Sequence, residues 1–456
     1  MSADNRFVII GGGPAGIAAA ITAIEDGFPA ERITLLEKGE RHDTSRTSGF
    51  GGAGANSDGK LVLESAIGGE LATWVGDERM AALLDDVLDL YLDFIDAEKR
   101  VKYEQMRGRF SDPDAGTAIQ RACIRAGLQY IPADIIPLGT STCRGIVDAW
   151  HDFLIERGTD VRLQTRVTGF ASTGEEWAVT LEDDGDGVRA RWLLAAPGRS
   201  GHDFLVQALA DNQIATVNGP IDVGVRVETD AQLTRPLTDA TWEFKLRGIL
   251  GGERVRTFCV CPEGSVLVER YDSDLLAVNG QTLPERPTGR TNFAVLHTIH
   301  LDDPCDSPTQ FAQAYIRTVN ILGARNPIVQ TWPKFAARRR SRESDLRKAF
   351  IEPTCAQALP GDIRLALNAK SCRVIEDFMQ ALDSPGVLEG LCSNRTLMYA
   401  PEAKFYTVRP AQLSEQLESE RDDLFFAGDG SGITRGLVQA SASGIVVGRE
   451  VARRAG

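Results

Sequence analysis

Long apolar runs are missing from this 456-residue chain, and no window approaches the roughly eighteen uninterrupted apolar residues of a membrane-spanning helix. The one early apolar segment is broken by glycines, so a signal peptide is not expected and a cytoplasmic location is. An excess of basic charge is missing too. Lys and Arg number 50 against 64 Asp and Glu, and the net charge of -14 argues against nucleic acid or an anionic membrane as the main partner. The run KFAARRRSRESDLRKAF (Arg338, Arg339, Arg340, Arg342) interleaves acids at helical spacing and reads as a solvated helix face. The eight cysteines show neither CxxC nor a His and Cys zinc array, so reduced thiols and no metal site are expected. Cys259 and Cys261, in RTFCVCPEG, come nearest to a pair. On a strand they share a face in poor disulfide geometry, which makes ordinary burial the expectation over a redox couple or metal site. Disorder is excluded by 43% hydrophobic against 25% charged residues, and the length allows two or three domains.

What is present begins with FVIIGGGPAG, followed by IAAAITAIEDG. Phe7 to Ile10 read as a buried parallel strand, Gly11, Gly13 and Gly16 make GxGxxG, and Ile17 to Asp26 read as a helix stopped at Gly27. The first glycine permits the turn, the second lets backbone approach a pyrophosphate, and the third lets helix pack on strand. The helix N-terminus adds free N–H groups and partial positive charge. The next strand, ITLLEK, ends in Glu37, twenty-one residues after Gly16, where a carboxylate can accept from both ribose hydroxyls. Strand, turn, helix and acid together point to a dinucleotide, FAD or NAD.

Five glycines (Gly49, Gly51, Gly52, Gly54 and Gly59) follow in RHDTSRTSGFGGAGANSDGKL, between apolar segments on both sides, and read as backbone wrapped closely around a flat or phosphorylated ligand. DERMAALLDDVLDLYLDFIDAEKR has apolar positions at threes and fours, an amphipathic helical insertion. GTSTCRGIVDAWHDFLIERG reads as a helix, and VRLQTRVTGF, WAVTLED and VRARWLLAAPG as strands. From about residue 203 to 400, strands such as IDVGVRVE, SVLVERY and TNFAVLHTIHL predict a second domain on a mixed or antiparallel sheet. The closing DDLFFAGDGSGITRGLVQASASGIVVGREVARR is again strand, glycine turn and small-residue helix. That segment decides for FAD: Asp429 can bind ribitol or phosphate-side hydroxyls, and the helix from about Gly436 aims N–H groups at the flavin N1 and C2=O region.

The residues GGGPAG (11–16), GFGGAGANSDGKL (49–61), APGRSG (196–201), DVGVRVE (222–228), RTFCVCPEG (256–264), TGRTNFAVL (288–296) and GDGSGITRGLVQASASG (428–444) carry a resemblance. In them the chain resembles the FAD-dependent oxidoreductases of the glutathione-reductase-like superfamily, most closely a poorly characterised family of bacterial FAD-dependent (NAD/FAD-utilising) dehydrogenases. Asn56 stands where that family commonly has an aromatic residue. The resemblance implies non-covalent FAD bound by Gly11, Gly13, Pro14, Ala15, Gly16, Glu37 and Lys38 at the adenosine and pyrophosphate end, with Val167 on the strand that meets the adenine. It also implies contacts from Gly51, Gly52, Gly54, Ser57 and Asp58, from Ala196 and Gly198 near the pyrophosphate turn, and from Gly428, Asp429, Gly436 and Leu437 on the flavin side. No second GxGxxG on a strand and helix is present, so NAD(P)H stays open as an electron donor without a dedicated domain.

Catalytic candidates are few, because the flavin itself takes the hydride. Lys60 can bind a substrate carboxylate or tune the flavin, or else be a solvated lysine. Arg435 can hold an anionic substrate bidentately or serve helix electrostatics. Tyr406 in KFYTVRP is a proton-donor candidate with a buried tyrosine as the alternative. His297 and His300 are three apart on a strand and so point to opposite faces. The expectation is an α/β protein: a Rossmann-like FAD-binding domain of three-layer ββα character (1–76, 131–202 and 406–456), interrupted by a helical insertion (77–130) and a β-rich, α+β substrate domain (203–405). Its expected activity is hydride transfer between flavin N5 and a small organic substrate. An FAD monooxygenase, or a flavin-binding scaffold acting through a partner, is the alternative.

Overall fold

The computed structural model describes residues 6–42, 48–55, 59–109, 113–183, 187–271, 275–282, 286–301, 304–305, 307–405 and 408–456. The chain divides into two compact units, one of Met1–Glu104, Ile136–Gly219 and Tyr406–Gly456, the other of Gln105–Ile135 and Pro220–Phe405. In chain order the elements used below are β1 (Phe7–Ile10), α1 (Pro14–Glu25), β2 (Ile33–Leu36), α2 (Asp77–Leu92), α3 (Thr140–Glu156), β3 (Asp160–Arg162), β4 (Trp192–Ala195), β5 (Ile221–Asp230), β6 (Glu253–Cys261), β7 (Arg290–Ile299), β8 (Thr396–Lys404), β9 (Leu424–Phe426) and α4 (Leu437–Ala455).

The first unit is built on a five-stranded parallel sheet in the order β9-β4-β1-β2-β3. Every residue of β1, β2, β4 and β9 is buried, which is why, Thr34 apart, these segments read as apolar runs rather than alternating ones. The chain passes from β1 to β2 on one side and returns through β4 on the other, leaving a switch point at the carboxyl end of β1, where open α/β sheets bind ligands. Helices α1 and α4 meet at bare backbone. A Cβ on Gly444 would lie 2.0 Å from the Ala15 carbonyl oxygen, and one on Gly448 would lie 2.5 Å from that of Ala19. Helix α2 buries Met80, Leu83, Leu84, Val87, Leu88 and Tyr91 at helical spacing. The Tyr91 hydroxyl sits 3.3 Å from Ser441 Oγ on α4, and its ring stands edge-on to Trp150 of α3 at 4.7 Å. A three-stranded antiparallel sheet (Val167–Ser172, Trp177–Leu181, Val188–Ala190) completes the unit's strands named here.

The second unit carries an eight-stranded sheet ordered Leu359–Pro360, Ile328–Thr331, β8, β5, β7, β6, Lys245–Leu250, Gln129–Ile131, antiparallel except for its first pair. Strand β5 buries both faces yet contains Asp222, Arg226 and Glu228. Each is compensated, as buried charge requires. Asp222 takes Arg256 at 2.8 Å, Arg226 donates to Glu402 at 2.9 Å, and Glu228 accepts from Tyr399 and Thr354. His297, on β7, is buried between Ser371 Oγ (2.9 Å) and Glu253 Oε2 (3.1 Å), whereas His300, one residue past the end of β7, is exposed. The arginine run departs from expectation. Helix Trp332–Ala336 ends before it, and Arg338 adopts the left-handed conformation (φ +57°), so Arg338, Arg339 and Arg340 lie exposed in a turn rather than along a helix.

The fold class is thus α/β, a Rossmann-like parallel sheet in one unit and a β-rich sheet in the other. Among the described residues no helix is long and apolar enough to cross a membrane.

Candidate functional site

At the carboxyl end of β1 the three motif glycines meet three different environments. Gly11 has φ +108°, and a Cβ there would sit 2.1 Å from the carbonyl oxygen of Ala196, whose own N–H binds Ile10 at 2.8 Å. A Cβ on Gly16 would lie 2.0 Å from the Gly11 carbonyl oxygen. Gly13 is different. Nothing lies within 4 Å of its Cβ position, and its φ of -86° suits any residue. Gly11 and Gly16 are therefore required by the protein's own packing, and Gly13 is not.

Gly13 is the N-cap of α1 and offers no side-chain cap, Pro14 follows, and the first turn holds no acid. The leading N–H groups of α1 thus keep their partial positive charge uncompensated by a capping or acidic side chain. Glu37, just beyond β2, is 6% exposed and organises the loops beside them. Its Oε2 accepts from Gly12 N–H at 2.8 Å, and its Oε1 accepts from Gly39 (2.8 Å) and Gly49 (3.0 Å).

The later glycine turn packs onto this loop. Gly51 N–H donates to the Gly12 carbonyl at 2.7 Å, and Gly51 and Gly52 have positive φ. A Cβ on Gly52 would come 3.2 Å from Gly13 Cα, and one on Gly54 3.0 Å from Pro14 and 3.1 Å from Leu437, the first residue of α4. The C-terminal segment arrives from the other side. Gly428 (φ +77°) comes within 3.2 Å of the Ala15 side chain at its Cβ position, and a Cβ on Gly430 would strike the Gly198 carbonyl oxygen at 2.2 Å. Asp429 is partly exposed, and its Oδ1 accepts from Thr434 Oγ1 at 2.7 Å. Gly436 caps α4 without a side-chain bond, and no acid sits in that helix's first turn. Two uncapped helix N-termini and four glycine turns therefore converge.

The structure brings together Gly11, Gly13, Pro14, Ala15, Gly16, Glu37, Gly51, Gly52, Gly54, Ala196, Gly198, Gly428, Asp429, Gly436 and Leu437. Lys38 reaches the neighbouring turn, its Nζ donating to Ser200 O at 3.1 Å. Val167 opens a strand two residues after Thr165, whose N–H donates to the Glu37 carbonyl at 2.8 Å. Arg435 is half-buried, its N–H bonded to Gly68 O at 2.6 Å, and Lys60 is half-buried at the start of strand Lys60–Leu63. Ser57, Asp58 and Tyr406 lie outside the described residues.

Residues 6–285, more than half of the chain, match the family model described as FAD dependent oxidoreductase. The chain belongs to that family. It is therefore an FAD-dependent flavoenzyme, and FAD is its cofactor. Residues 386–456 also match the model of glucose inhibited division protein A. A protein of Clostridium beijerinckii with no stated activity is 20% identical over 98% of this chain and 80% of its own length. Among solved structures, glycine oxidase from Geobacillus kaustophilus aligns at 13% identity over 98% of this chain and 94% of its own, with a TM-score of 0.39. A mutant of NikD, an unusual amino acid oxidase, aligns at 13% over 99% and 94%, with a TM-score of 0.41. Structural likeness of that size carries no argument about the flavoenzyme's reaction.

Two further side chains support the flavoenzyme's site. Gln439 accepts from Leu71 N–H (3.2 Å) and donates to Ser65 O (3.0 Å) and Ile67 O (2.9 Å), pinning residues 65–71 to the start of α4. Gly68 and Gly69 allow this: both have positive φ, and a Cβ on Gly69 would lie 2.7 Å from Gln439 Oε1. The doubled glycine of SAIGGEL was the available signal. The second support is His202, 1% exposed, whose Nδ1 sits 2.9 Å from the Gly430 carbonyl. A carbonyl only accepts, so Nδ1 carries the proton. Burial pushes the His202 pKa below its ordinary value of 6.5 and keeps the ring neutral, despite the Gly430 bond and Asp203. His202 thereby ties the turn after Gly198 to the turn of Asp429.

Proposed function

We propose that this flavoenzyme transfers hydride between flavin N5 and a small organic substrate, with the cofactor lying along the convergence of the Gly11–Gly16 loop, the Gly51–Gly54 turn and the Gly428–Leu437 segment. The observation that carries the reading is the open space over Gly13, beside two uncapped helix N-termini. A Rossmann turn kept only for packing needs Gly11 and Gly16 but has no use for Gly13. When bound, FAD supplies a two-electron, hydride-accepting or hydride-donating ring.

The residues divide the work by charge. The N-terminus of α1 is the donor set for an anionic pyrophosphate, with Gly13, Pro14, Ala15 and Gly16 as its surface. Glu37 receives one backbone N–H on Oε2, leaving that oxygen acceptor capacity for a ribose hydroxyl, and Val167 and Lys38 flank the same end. Asp429, steadied through Oδ1 by Thr434, accepts hydroxyls nearer the flavin. The α4 N-terminus at Gly436 and Leu437 favours negative charge on the ring. Ser57 and Asp58 are assigned to the same cofactor on the resemblance alone. Lys60, Arg435 and Tyr406 are the candidates for binding an anionic substrate or moving a proton. The β-rich segment 203–405 is assigned to the substrate.

The test is to purify the protein, record its visible spectrum, and screen metabolites anaerobically for bleaching of the flavin. Bleaching by a substrate alone supports the reading. Reduction by NADPH only in the presence of a substrate would instead favour the monooxygenase reading, and a flavin that no small molecule reduces would favour a scaffold acting through a partner.

A further inference from the structure

In a regular strand, residues two apart lie about 6.6 Å from one another with parallel side chains, too far for a disulfide. Strand β6 is not regular where it carries Cys259 and Cys261. Opposite β7 its register runs from Phe258↔Ala294 to Cys261↔Asn292, one residue more on β6 than on its partner, which is a β-bulge. Cys259 takes φ +45°, a conformation that side-chain-bearing residues rarely adopt. The bulge folds the strand on itself and brings the two sulfurs to 3.9 Å. The poor geometry expected of CxC on a strand therefore does not apply.

Charged groups of both signs surround the pair, and Val260 between the two cysteines donates its N–H to Glu243 Oε1 at 3.0 Å. Buried Arg226 donates from Nη1 to Cys259 O at 3.2 Å and from Nε to Glu402 at 2.9 Å. At Gly280 a Cβ would meet Arg226 Nη1 at 2.3 Å and Cys261 Sγ at 2.8 Å, so the bare glycine is what lets guanidinium and sulfur close on one spot. The ring of Phe258, next to Cys259, is flanked by Lys245, Arg256 and Lys404. Each of these cations is itself paired, Arg226 and Lys404 with Glu402, Lys245 with Glu243 and Arg256 with Asp222. The two cysteines also differ in access, for Cys261 is fully buried and Cys259 only partly so. Metal binding does not fit. Two sulfurs are half a site, and among the described residues no group of three His, Cys, Asp or Glu is arranged to hold a metal ion.

We propose that Cys259 and Cys261 are a reversible dithiol–disulfide couple that exchanges electrons with low-molecular-weight disulfides. Cys259 thiolate attacks one sulfur of a disulfide RSSR, forming Cys259–S–S–R and releasing RS⁻. Cys261 thiolate then attacks the Cys259 sulfur, forming the internal disulfide and releasing the second RS⁻. The dithiol is oxidised by two electrons, RSSR is reduced to two thiols, and the two protons of the cysteines end on those thiols. The strained backbone at Cys259 has a use in this reading, since it holds the sulfurs within reach of each other.

The test uses the FAD-loaded protein, equilibrated in glutathione buffers of graded oxidised-to-reduced ratio, quenched in acid, alkylated under denaturing conditions and mapped by peptide mass. The expected result is that the peptide carrying Cys259 and Cys261 escapes alkylation at both sites together and weighs about 2 Da less than its unalkylated dithiol form, while the remaining six cysteines stay alkylated. Cys261→Ser should accumulate a glutathione adduct on Cys259, and Cys259→Ser should yield neither adduct nor ring. Because Cys261 is buried, the wild-type map stands as a test without the variants. Full alkylation of both cysteines at every ratio, or an internal disulfide that appears only in unfolded protein, would overturn the proposal.

Discussion

At the scale of single residues, the three motif glycines separate folding from binding. Gly11→Ala and Gly16→Ala would each drive a methyl into a carbonyl oxygen, and thermal melts of the apoprotein should show losses of about 1–3 kcal/mol or more. Gly13→Val should leave the apoprotein melt nearly unchanged, because its Cβ position is empty, yet abolish FAD retention. A Gly13→Val protein that keeps stoichiometric FAD would show that the loop is only structural. Asp429→Ala should fold and lose FAD on dilution. A charged hydrogen bond is worth roughly 1.5 to 3 kcal/mol, which is about one to two decades in affinity, and Asp429→Asn should fall between parent and Ala. Titration giving parental affinity for Asp429→Ala would remove the C-terminal segment from the cofactor. Glu37 holds three backbone N–H groups as well as its proposed ribose, so Glu37→Ala should lower both FAD affinity and apoprotein stability, the latter by about 2–4 kcal/mol as buried donors lose their acceptor.

At the scale of elements, the site depends on turns tied to one another rather than on any one helix. His202 is the tie between the turn after Gly198 and the turn of Asp429, and it gives the pair of turns a pH dependence. Burial lowers its pKa in the folded protein, so the unfolded chain binds the proton more readily. The stability it contributes is present above about pH 6.5 and is lost as pH falls towards the folded value. Melting temperature and FAD retention should therefore drop as pH falls below about 6.5. His202→Gln keeps a donor for Gly430 O without a titrating ring, and should flatten that drop. An unchanged acid slope in His202→Gln would assign the slope to other groups. The same scale explains the arginine run: composition and spacing favoured a helix, but a left-handed residue at Arg338 ends the preceding one.

At the scale of the whole molecule, the purified protein should be yellow, with FAD released by heat or acid because it is held by hydrogen bonds and packing. A colourless protein that binds NAD but not FAD would overturn this. The parallel sheet of the first unit was legible early, because buried parallel strands leave apolar runs, and both ends of the chain carry one followed by glycines and a small-residue helix. Less was legible where a residue acts through distant partners. Gln439 lies inside the closing glycine segment and His202 just past APGRSG, yet their carbonyl partners leave no trace in sequence.

The sequence by itself determined the Rossmann-like opening and close, the cofactor and the position of Glu37. Strand, turn and helix are local structures, and the glycines that permit them are read at fixed spacing. Only the tertiary structure decided which glycines answer to the protein's own backbone and which face open space, since that depends on what Ala196, Gly198 and α4 bring alongside. It also decided that Cys259 and Cys261 touch. A bulge is a mismatch between two strands, β6 and β7, that are far apart in sequence, and neither strand alone records it.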